Sequence, residues 1–339
     1  MTSNAHTPNI LYLGYAGFPY GYAELQKLML ISKSLVHEGA QVTVLGSHGQ
    51  HQPEDHPELK KVGHYEGIKY IYSSGTPYRI NNFLRRNLFR MVEKIAEYRT
   101  IRKLHKRQKF DMAIVSSANF WHILGYRVFS RLLGFKTLLN YVEYRSAITH
   151  WKETKKKKLK YRINDHFLDR HGIKLADGVL VISEFLIGKI REVDPRKPYF
   201  KIPMMVDAQR YQGLSRKNTE PYFLFCGSAM YKEVIVFIIE AYEQIDHSIS
   251  LYLVISGSKT QKAEVAERIR QSKKSDRIKT FSGVTDQELS ELYLNATGLL
   301  IPLRPTIQDT ARFPHKIGEY LSSGNPVVTT NVGEVSQYF

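Results

Sequence analysis

The sequence predicts an α/β protein built of two doubly wound domains, and three observations carry that reading. At 339 residues the chain is long for one compact domain. Its first 45 residues read as strand, glycine-bearing turn, helix and strand, the opening unit of a doubly wound sheet. From residue 222 onward, four short apolar runs alternate with helical patterns, which describes a second sheet of the same kind.

In the opening unit, Asn9–Leu13 is the first strand, and Gly14, Gly17, Pro19 and Gly21 form the turn. Ala23–His37 carries leucines, a methionine and a valine at helical spacing, Gly39 closes it, and Gln41–Leu45 is the next strand. The turn does not read GxGxxG, so a nicotinamide enzyme loses its main support. A small-residue loop leading to a helix N-terminus, where backbone N–H groups can face an anion, remains.

Residues 46–78 are polar, with a hairpin or strand expected at Ile68–Tyr72. Residues 81–109 are amphipathic: Leu84, Leu88, Met91, Val92 and Ile95 form an apolar stripe, and Arg85, Arg86 and Arg90 are among the cations on its flanks. Such a helix can pack its apolar face on the sheet or present cations to a membrane surface, and the two are compatible. Asp111–Ser116 and Lys136–Tyr141 are strands on either side of a helix through Trp121–Leu133. Glu143 and Arg145 fall at the C-terminal edge of the second of these, where open α/β sheets bind ligands. His150 and Trp151 precede the run Lys155, Lys156, Lys157, Lys158, interleaved with Leu159, Tyr161, Phe167 and Leu168, a pattern suited to lipid headgroups. Leu175–Ile182 is a helix end followed by a strand, and Ser183 caps the next helix.

After an irregular stretch, strands are expected at Tyr222–Cys226, Leu251–Ser256, Ile278–Phe281 and Leu299–Leu303. Helices are expected at Val234–Ile245, Gln261–Ser272 and from the capping box Thr285–Glu288 to Ala296, with Gly227–Lys232 as a turn. In the stretch from Phe313 to Thr330, Pro314 suits a first helical position, Ile317 and Leu321 point inward, Gly324 takes a left-handed conformation, and Val327–Val328 start a buried strand. Glu319 sits mid-helix among apolar neighbours, either a solvated surface carboxylate or a ligand-binding one.

Composition narrows the function classes. A hydrophobic content of 42% with 12% aromatics is enough for proper cores and excludes a disordered chain. The single cysteine, Cys226, excludes a disulfide framework and fits a reducing compartment. No signal h-region opens the chain and no apolar run reaches membrane-spanning length, so a cytoplasmic protein is expected. The formal charge of +17 is uneven: residues 1–205 hold 34 lysines and arginines against 17 acids, and residues 206–339 hold 15 of each. The first half therefore suits a polyanionic surface: nucleic acid, anionic headgroups or a phosphorylated acceptor. No nucleic-acid reading motif accompanies the charge.

The sequences YFLFCGSAMYKE, LYLVISGS, TFSGVTDQELSELYLNATGLLIPL and PHKIGEYLSSGNPVVTTNVGE, with LADGVLVISEFLIGKI and KIPMMVD before them, resemble the retaining glycosyltransferases of the GT-B fold, family 4 (glycosyl transferases group 1), in a P-x-K-x-x-E-Y branch. The resemblance implies two Rossmann-like domains facing each other across a cleft, an acceptor-side domain at 1–205 and a donor-binding domain at 206–339. It implies a metal-independent, hexosyltransferase-type enzyme of polysaccharide biosynthesis. Such an enzyme uses a UDP- or GDP-linked sugar, needs no other cofactor, and acts on a lipid-linked or polysaccharide acceptor at the inner membrane face. By resemblance Glu319 binds the ribose, Lys232 neutralises the diphosphate, Gly227 and Gly21 let backbone approach it, and Val284 contacts the base. Lys316 belongs to the same donor-site motif.

The chain departs from the family in several places. Ala311 stands where the first Glu of E-x7-E falls, which leaves Asp309 and Thr310 to hold the sugar. Ser228 replaces an arginine and Tyr22 a glycine. The family's catalytic-region histidine corresponds to no single residue, with Asn140, Glu143 and His150 as candidates. Family members continue beyond the position of Phe339, so the donor domain is expected to be incomplete. The alternative expectation is a non-catalytic relative that binds without turnover.

Overall fold

Leu11, Tyr12 and Leu13 are fully buried on both sides of their strand, as expected of a central parallel strand covered by helices on both faces. That strand, β1 (Asn9–Leu13), lies in the computed structural model of the chain. The model describes residues 6–339 except 22, 48, 81–82, 149–154, 218–219 and 246–247, and the side chains of 23, 83–91, 155–157 and 208 are also outside the description. The chain divides into two compact units, Met1–Pro203 and Met204–Phe339, with mixed α/β architecture in each.

Among the described residues, the first unit holds an eight-stranded sheet. Its elements in order are β1, α1 (Ala23–His37), β2 (Gln41–Gly46), β3 (Val62–Tyr65), β4 (Ile68–Tyr72), α2 (Phe83–Arg107), β5 (Met112–Val115), α3 (Phe120–Leu133), β6 (Lys136–Tyr141), α4 (Lys155–Phe167), α5 (Ile173–Leu175), β7 (Gly178–Val181), α6 (Glu184–Val193) and β8 (Tyr199–Lys201). The spatial order is β3-β4-β2-β1-β5-β6-β7-β8, parallel except for β3 against β4. Those two strands form a hairpin whose two-residue loop, Glu66 and Gly67, has positive φ at both positions, the twist that a tight hairpin requires. The order reverses between β1 and β5, which makes that gap the sheet's switch point.

Of the apolar stripe expected to pack α2 on the sheet, Val92 and Ile95 are exposed while Glu93 and Glu97 are buried, and Leu84, Leu88 and Met91 lie outside the described side chains. Glu97 can go inside because its carboxylate accepts from Lys94 Nζ at 2.6 Å and from Tyr126 Oη of α3 at 2.6 Å. A buried charge so paired is tolerated where an unpaired one is not. In α4, Leu159 and Phe167 are exposed as the lysine-rich pattern suggested, but Leu168 is buried. A π-helical turn, Leu168–Gly172, follows α4 and leads into α5. Ser183 caps α6 through Leu186 N–H, as read from sequence.

The second unit comprises β9 (Tyr222–Ser228), α7 (Lys232–Glu243), β10 (Ser250–Ser256), α8 (Lys259–Arg270), β11 (Ile278–Phe281), α9 (Asp286–Asn295), β12 (Gly298–Ile301), α10 (Ile307–Ala311), α11 (His315–Ser322) and β13 (Val327–Thr329). The five strands run parallel in the order β11-β10-β9-β12-β13, so β9 is central and the switch point lies between β9 and β12. Leu251, Leu253, Ile239 and Ile235 are essentially fully buried in the core under α7 and α8, each worth about 2 kcal/mol of transfer free energy. Thr285 and Glu288 form the expected capping box of α9.

Four readings of this half need correction. Gly227 and Ser228 extend β9 rather than starting the turn, because β10 pairs along the strand as far as Ser228. Pro314 is the N-cap of α11, not its first helical residue: its ψ of 126° is extended, and its carbonyl accepts from Ile317 N–H. The inward face of α11 is Ile317, Gly318 and Tyr320, and Leu321 is exposed. Val328 is exposed as well, because β13 is an edge strand. Gly324 has a φ of 73°, as expected of a left-handed helix end.

Gly14 ends β1 at the first unit's switch point with a φ of 94°, and a Cβ placed there would lie 1.8 Å from the Ser116 carbonyl oxygen. The turn needs glycine for both its backbone conformation and its close approach to β5. Gly14→Ala should therefore cost about 2 kcal/mol or more, measured as a lower urea midpoint of the first unit. An unchanged midpoint would contradict this account of the turn.

Candidate functional sites

Each unit gathers chemistry-bearing residues at its own switch point. In the second unit, Gly227 and Ser228 end β9, Lys232 opens α7, and the segment after β12 carries α10 and α11. The topology thus brings the ends of β9 and β12 together with Asp309, Thr310, Lys316 and Glu319. Val284 lies at the same edge of the sheet, two strands away, after Gly283 in the loop that follows β11.

Glu319 is not a solvated helix-surface carboxylate. Its side chain is only 13% exposed and pairs with Arg210, Oε1 to Nη1 at 3.3 Å. Arg210 is held in turn by donating from Nε to Ser290 Oγ at 2.9 Å. The Tyr211 hydroxyl donates to the Glu319 carbonyl at 2.6 Å. The next residue, Tyr320, is fully buried and its hydroxyl accepts from Cys226 N–H at 3.1 Å. Lys316, one turn before Tyr320, places Nζ 3.3 Å from Cys226 Sγ. Helix α11 is therefore pinned to the central strand at Cys226, with a cation in its first turn and a carboxylate in its second.

Lys232 is half-exposed and its ammonium lies 3.3 Å from Glu264 of α8, a surface pair of little energetic weight and readily exchanged. Asp309 is in a different situation. Its carboxylate takes a bidentate pair of bonds from Arg304, at 2.7 and 2.9 Å, and a third from Arg304 N–H at 3.0 Å. Burial disfavours its charge, but the Arg304 bonds outweigh burial and hold its pKa below the ordinary value. Arg304 also pairs with Glu233 and lies over the Tyr231 ring. Asp309 thus braces the segment after β12, and Thr310 beside it packs its backbone against Gly333. Ala311 is fully buried, so the position of the absent carboxylate points into the core.

In the first unit a pocket of about 250 Å³ opens at the C-terminal ends of β1, β5 and β6. Tyr15, Glu24, Ser116, Asn140, Glu143 and Arg145 supply its polar lining, with Gly14 and Leu168 at its wall. Asn140 Nδ2 donates to Ser116 Oγ at 2.8 Å, and Arg145 Nη1 lies 3.2 Å from Glu143 Oε2. The loop carrying Glu143 and Arg145 is tied down by Asp169 of the π turn. Asp169 accepts from Tyr141 Oη at 2.9 Å, Ser146 N–H at 2.6 Å and Arg145 N–H at 3.2 Å. Burial, then the charge of Glu143, raises the Glu24 pKa, and Arg145 opposes them. Burial and Glu24 likewise raise that of Tyr15. A pocket with two carboxylates, two hydroxyls, an amide and a guanidinium suits a ligand rich in hydroxyl groups.

Glu143 is thus in the pocket that its strand-end position suggested. Gly21 lies in the loop before α1 and is not part of the pocket lining. His150 is outside the described residues, as are the side chains of Arg85, Arg86, Arg90, Lys155, Lys156 and Lys157. Sequence reasoning missed Glu24, Tyr15, Ser116, Arg210 and Arg304. Only Glu24 carried a usable signal, an acid in the first turn of the helix after the glycine turn.

Residues 208–339 match the family model described as Glycosyl transferases group 1. None of the curated proteins matches the chain. Sucrose-phosphate synthase from Thermosynechococcus elongatus is similar in structure at TM-score 0.68 and 17% identity, over 98% of this chain and 83% of that one. A glycosyltransferase from Rickettsia africae is similar at TM-score 0.65 and 15% identity, over 98% and 81%. HepE from Anabaena, solved with UDP and glucose, is similar at TM-score 0.60 and 17% identity, over 97% and 82%. The chain therefore has the fold of the GT-B glycosyltransferases, and its residues 208–339 match the group 1 glycosyltransferase domain.

Proposed function

We propose that the chain is a retaining glycosyltransferase that moves a sugar from a nucleoside-diphosphate sugar to a lipid-linked or polysaccharide acceptor at the cytoplasmic face of a membrane. The observation that carries this is Glu319: a carboxylate at the switch point of the second sheet, inside the segment matched by the family model, on a helix pinned to the central strand. A carboxylate there can accept from two vicinal ribose hydroxyls at once, with Arg210 exchanging one of its bonds. HepE, of the same fold, is solved with UDP, which supports a nucleoside diphosphate as the ligand of this unit.

In this reading the acceptor oxygen bonds to the anomeric carbon on the face from which the diphosphate departs. The bond from that carbon to the phosphate oxygen breaks, and the acceptor's hydroxyl proton passes to the leaving diphosphate. Lys232 and Lys316 stabilise the charge that develops on the leaving group. Lys232 exchanges its weak partner Glu264 for phosphate at little cost. No metal takes part. The first unit's carboxylate-lined pocket holds the acceptor's hydroxyls. A second reading, binding without turnover, draws on the buried Ala311, where no carboxylate can reach a sugar.

Release of nucleoside diphosphate from a panel of UDP- and GDP-sugars, with polysaccharide and lipid-linked acceptors, separates these readings. One donor should turn over, and Lys232→Ala should lower kcat about a hundredfold. Binding of that donor without turnover against its cognate acceptor favours the second reading. Intact activity in both Lys232→Ala and Glu319→Ala would remove these residues from the site.

Glu24 gives a pH signature. Because folding raises its pKa, its stabilising contribution is full below the ordinary carboxylate value and is lost as pH rises through the raised one. Glu24→Gln should therefore melt close to the parent at acidic pH and above it near pH 7. Melting curves that stay parallel over that range would contradict the assigned environment.

A further inference from the structure

Helix α4 has two differently built sides. On one, Asp165 lies 3.5 Å from Arg145 Nε, and Asn164 accepts from Phe120 N–H and donates to the Ala118 carbonyl. The following π turn supplies Asp169 to the pocket loop and Leu168 to the pocket wall. On the other, Leu159 and Ile163 are 58% and 51% exposed, with Phe167 one further turn along and also exposed. Their spacing of four residues makes one stripe along the helix. Phe167 packs on Phe120, which packs in turn on Trp121 at the start of α3, and Trp121 is 65% exposed. The buried Phe120 thus links the exposed stripe of α4 to the exposed Trp121 of α3.

Lys158, Lys160 and Arg162 flank the stripe, in the half of the chain that carries the entire positive excess. An apolar stripe edged by cations, ending in an exposed tryptophan, has the chemistry of a helix lying in a lipid interface. A soluble protein partner would have to supply both an apolar groove and an acidic rim, whereas an anionic bilayer supplies both without specific fit.

We propose that the outer face of α4, with Trp121, is a docking surface for an anionic lipid bilayer, on which Leu159, Ile163 and Phe167 enter the headgroup region. Leu168, the residue after Phe167, lines the first unit's pocket, so a molecule carried by the bilayer would meet that pocket next to the lipid contact. The inference deepens the membrane-borne acceptor proposed above. It does not depend on catalysis, and its test uses neither donor nor acceptor.

Flotation of the full chain with vesicles of phosphatidylglycerol and phosphatidylcholine should recover it, and vesicles of phosphatidylcholine alone should not. Leu159→Asn with Ile163→Asn should weaken binding about tenfold or more while leaving the thermal midpoint unchanged, because both residues are exposed. An independent readout keeps the face native. Trp121 and Trp151 are the chain's tryptophans, so Trp151→Phe leaves Trp121 as the sole reporter, which should shift to the blue and be quenched by brominated lipid. Absence of vesicle binding, undiminished binding by the folded double variant, or a Trp121 spectrum unmoved by bound vesicles would each overturn the proposal. So would concentration-dependent self-association that the double variant abolishes in the absence of vesicle binding. Donor turnover alongside any of these would leave the transferase reading standing without this surface.

Discussion

One buried contact positions the second unit's site: the hydrogen bond from Cys226 N–H to the Tyr320 hydroxyl, where the central strand β9 meets α11. Tyr320 is fully buried, packs edge-on against Tyr293 at 5.0 Å, and cannot move without leaving a strand amide unpaired in the core. Everything placed on α11 follows from it. Glu319 is the neighbouring residue and pairs with Arg210, and Lys316 is a turn earlier and reaches Cys226. The helix is short and has no side-chain N-cap, so its position is set by packing rather than by helix propensity.

The first unit solves the same problem with charge. Asp169 gathers two loop amides and a tyrosine hydroxyl and so shapes the wall of the pocket, as Asp309 gathers three bonds from Arg304 after β12. Each carboxylate is nearly removed from water and fully employed, the condition under which a buried charge is tolerated. Burial pushes the pKa of both Asp169 and Glu24 up, but Asp169 is opposed by the hydrogen bonds it accepts, whereas Glu24 also faces the charge of Glu143, which Arg145 only partly offsets. A carboxylate left in that state beside a cavity is available to a ligand in a way that Asp169 and Asp309 are not.

Strand and helix positions were largely legible because the doubly wound alternation repeats a strong pattern: an apolar run, a small-residue turn and a helical stretch. What the sequence hid were faces and pairings. Val92 and Ile95 read as a core stripe, yet Glu93 and Glu97 are the buried residues, because Tyr126 supplies a hydroxyl from another helix. Leu321 read as inward because its spacing from Ile317 allowed it, yet Tyr320 took the place. The donor-site residues were legible through their resemblance to a family motif, but Arg210 was not. Tyr211, the residue after it, reaches a carbonyl 108 residues further on, and no local pattern encodes a pairing at that distance. Asp309 was legible as a polar residue near the site, but not as the partner of Arg304.

The central claim is that Glu319 holds a nucleoside diphosphate in the second unit, and calorimetry tests it most directly. Titrating UDP and GDP into the chain and into Glu319→Gln compares two charge-assisted bonds with two weaker ones. The account predicts saturable binding of one of the two nucleotides, weakened about thirtyfold or more in the variant. Equal affinity in parent and variant, or no binding of either nucleotide to the parent, would contradict it.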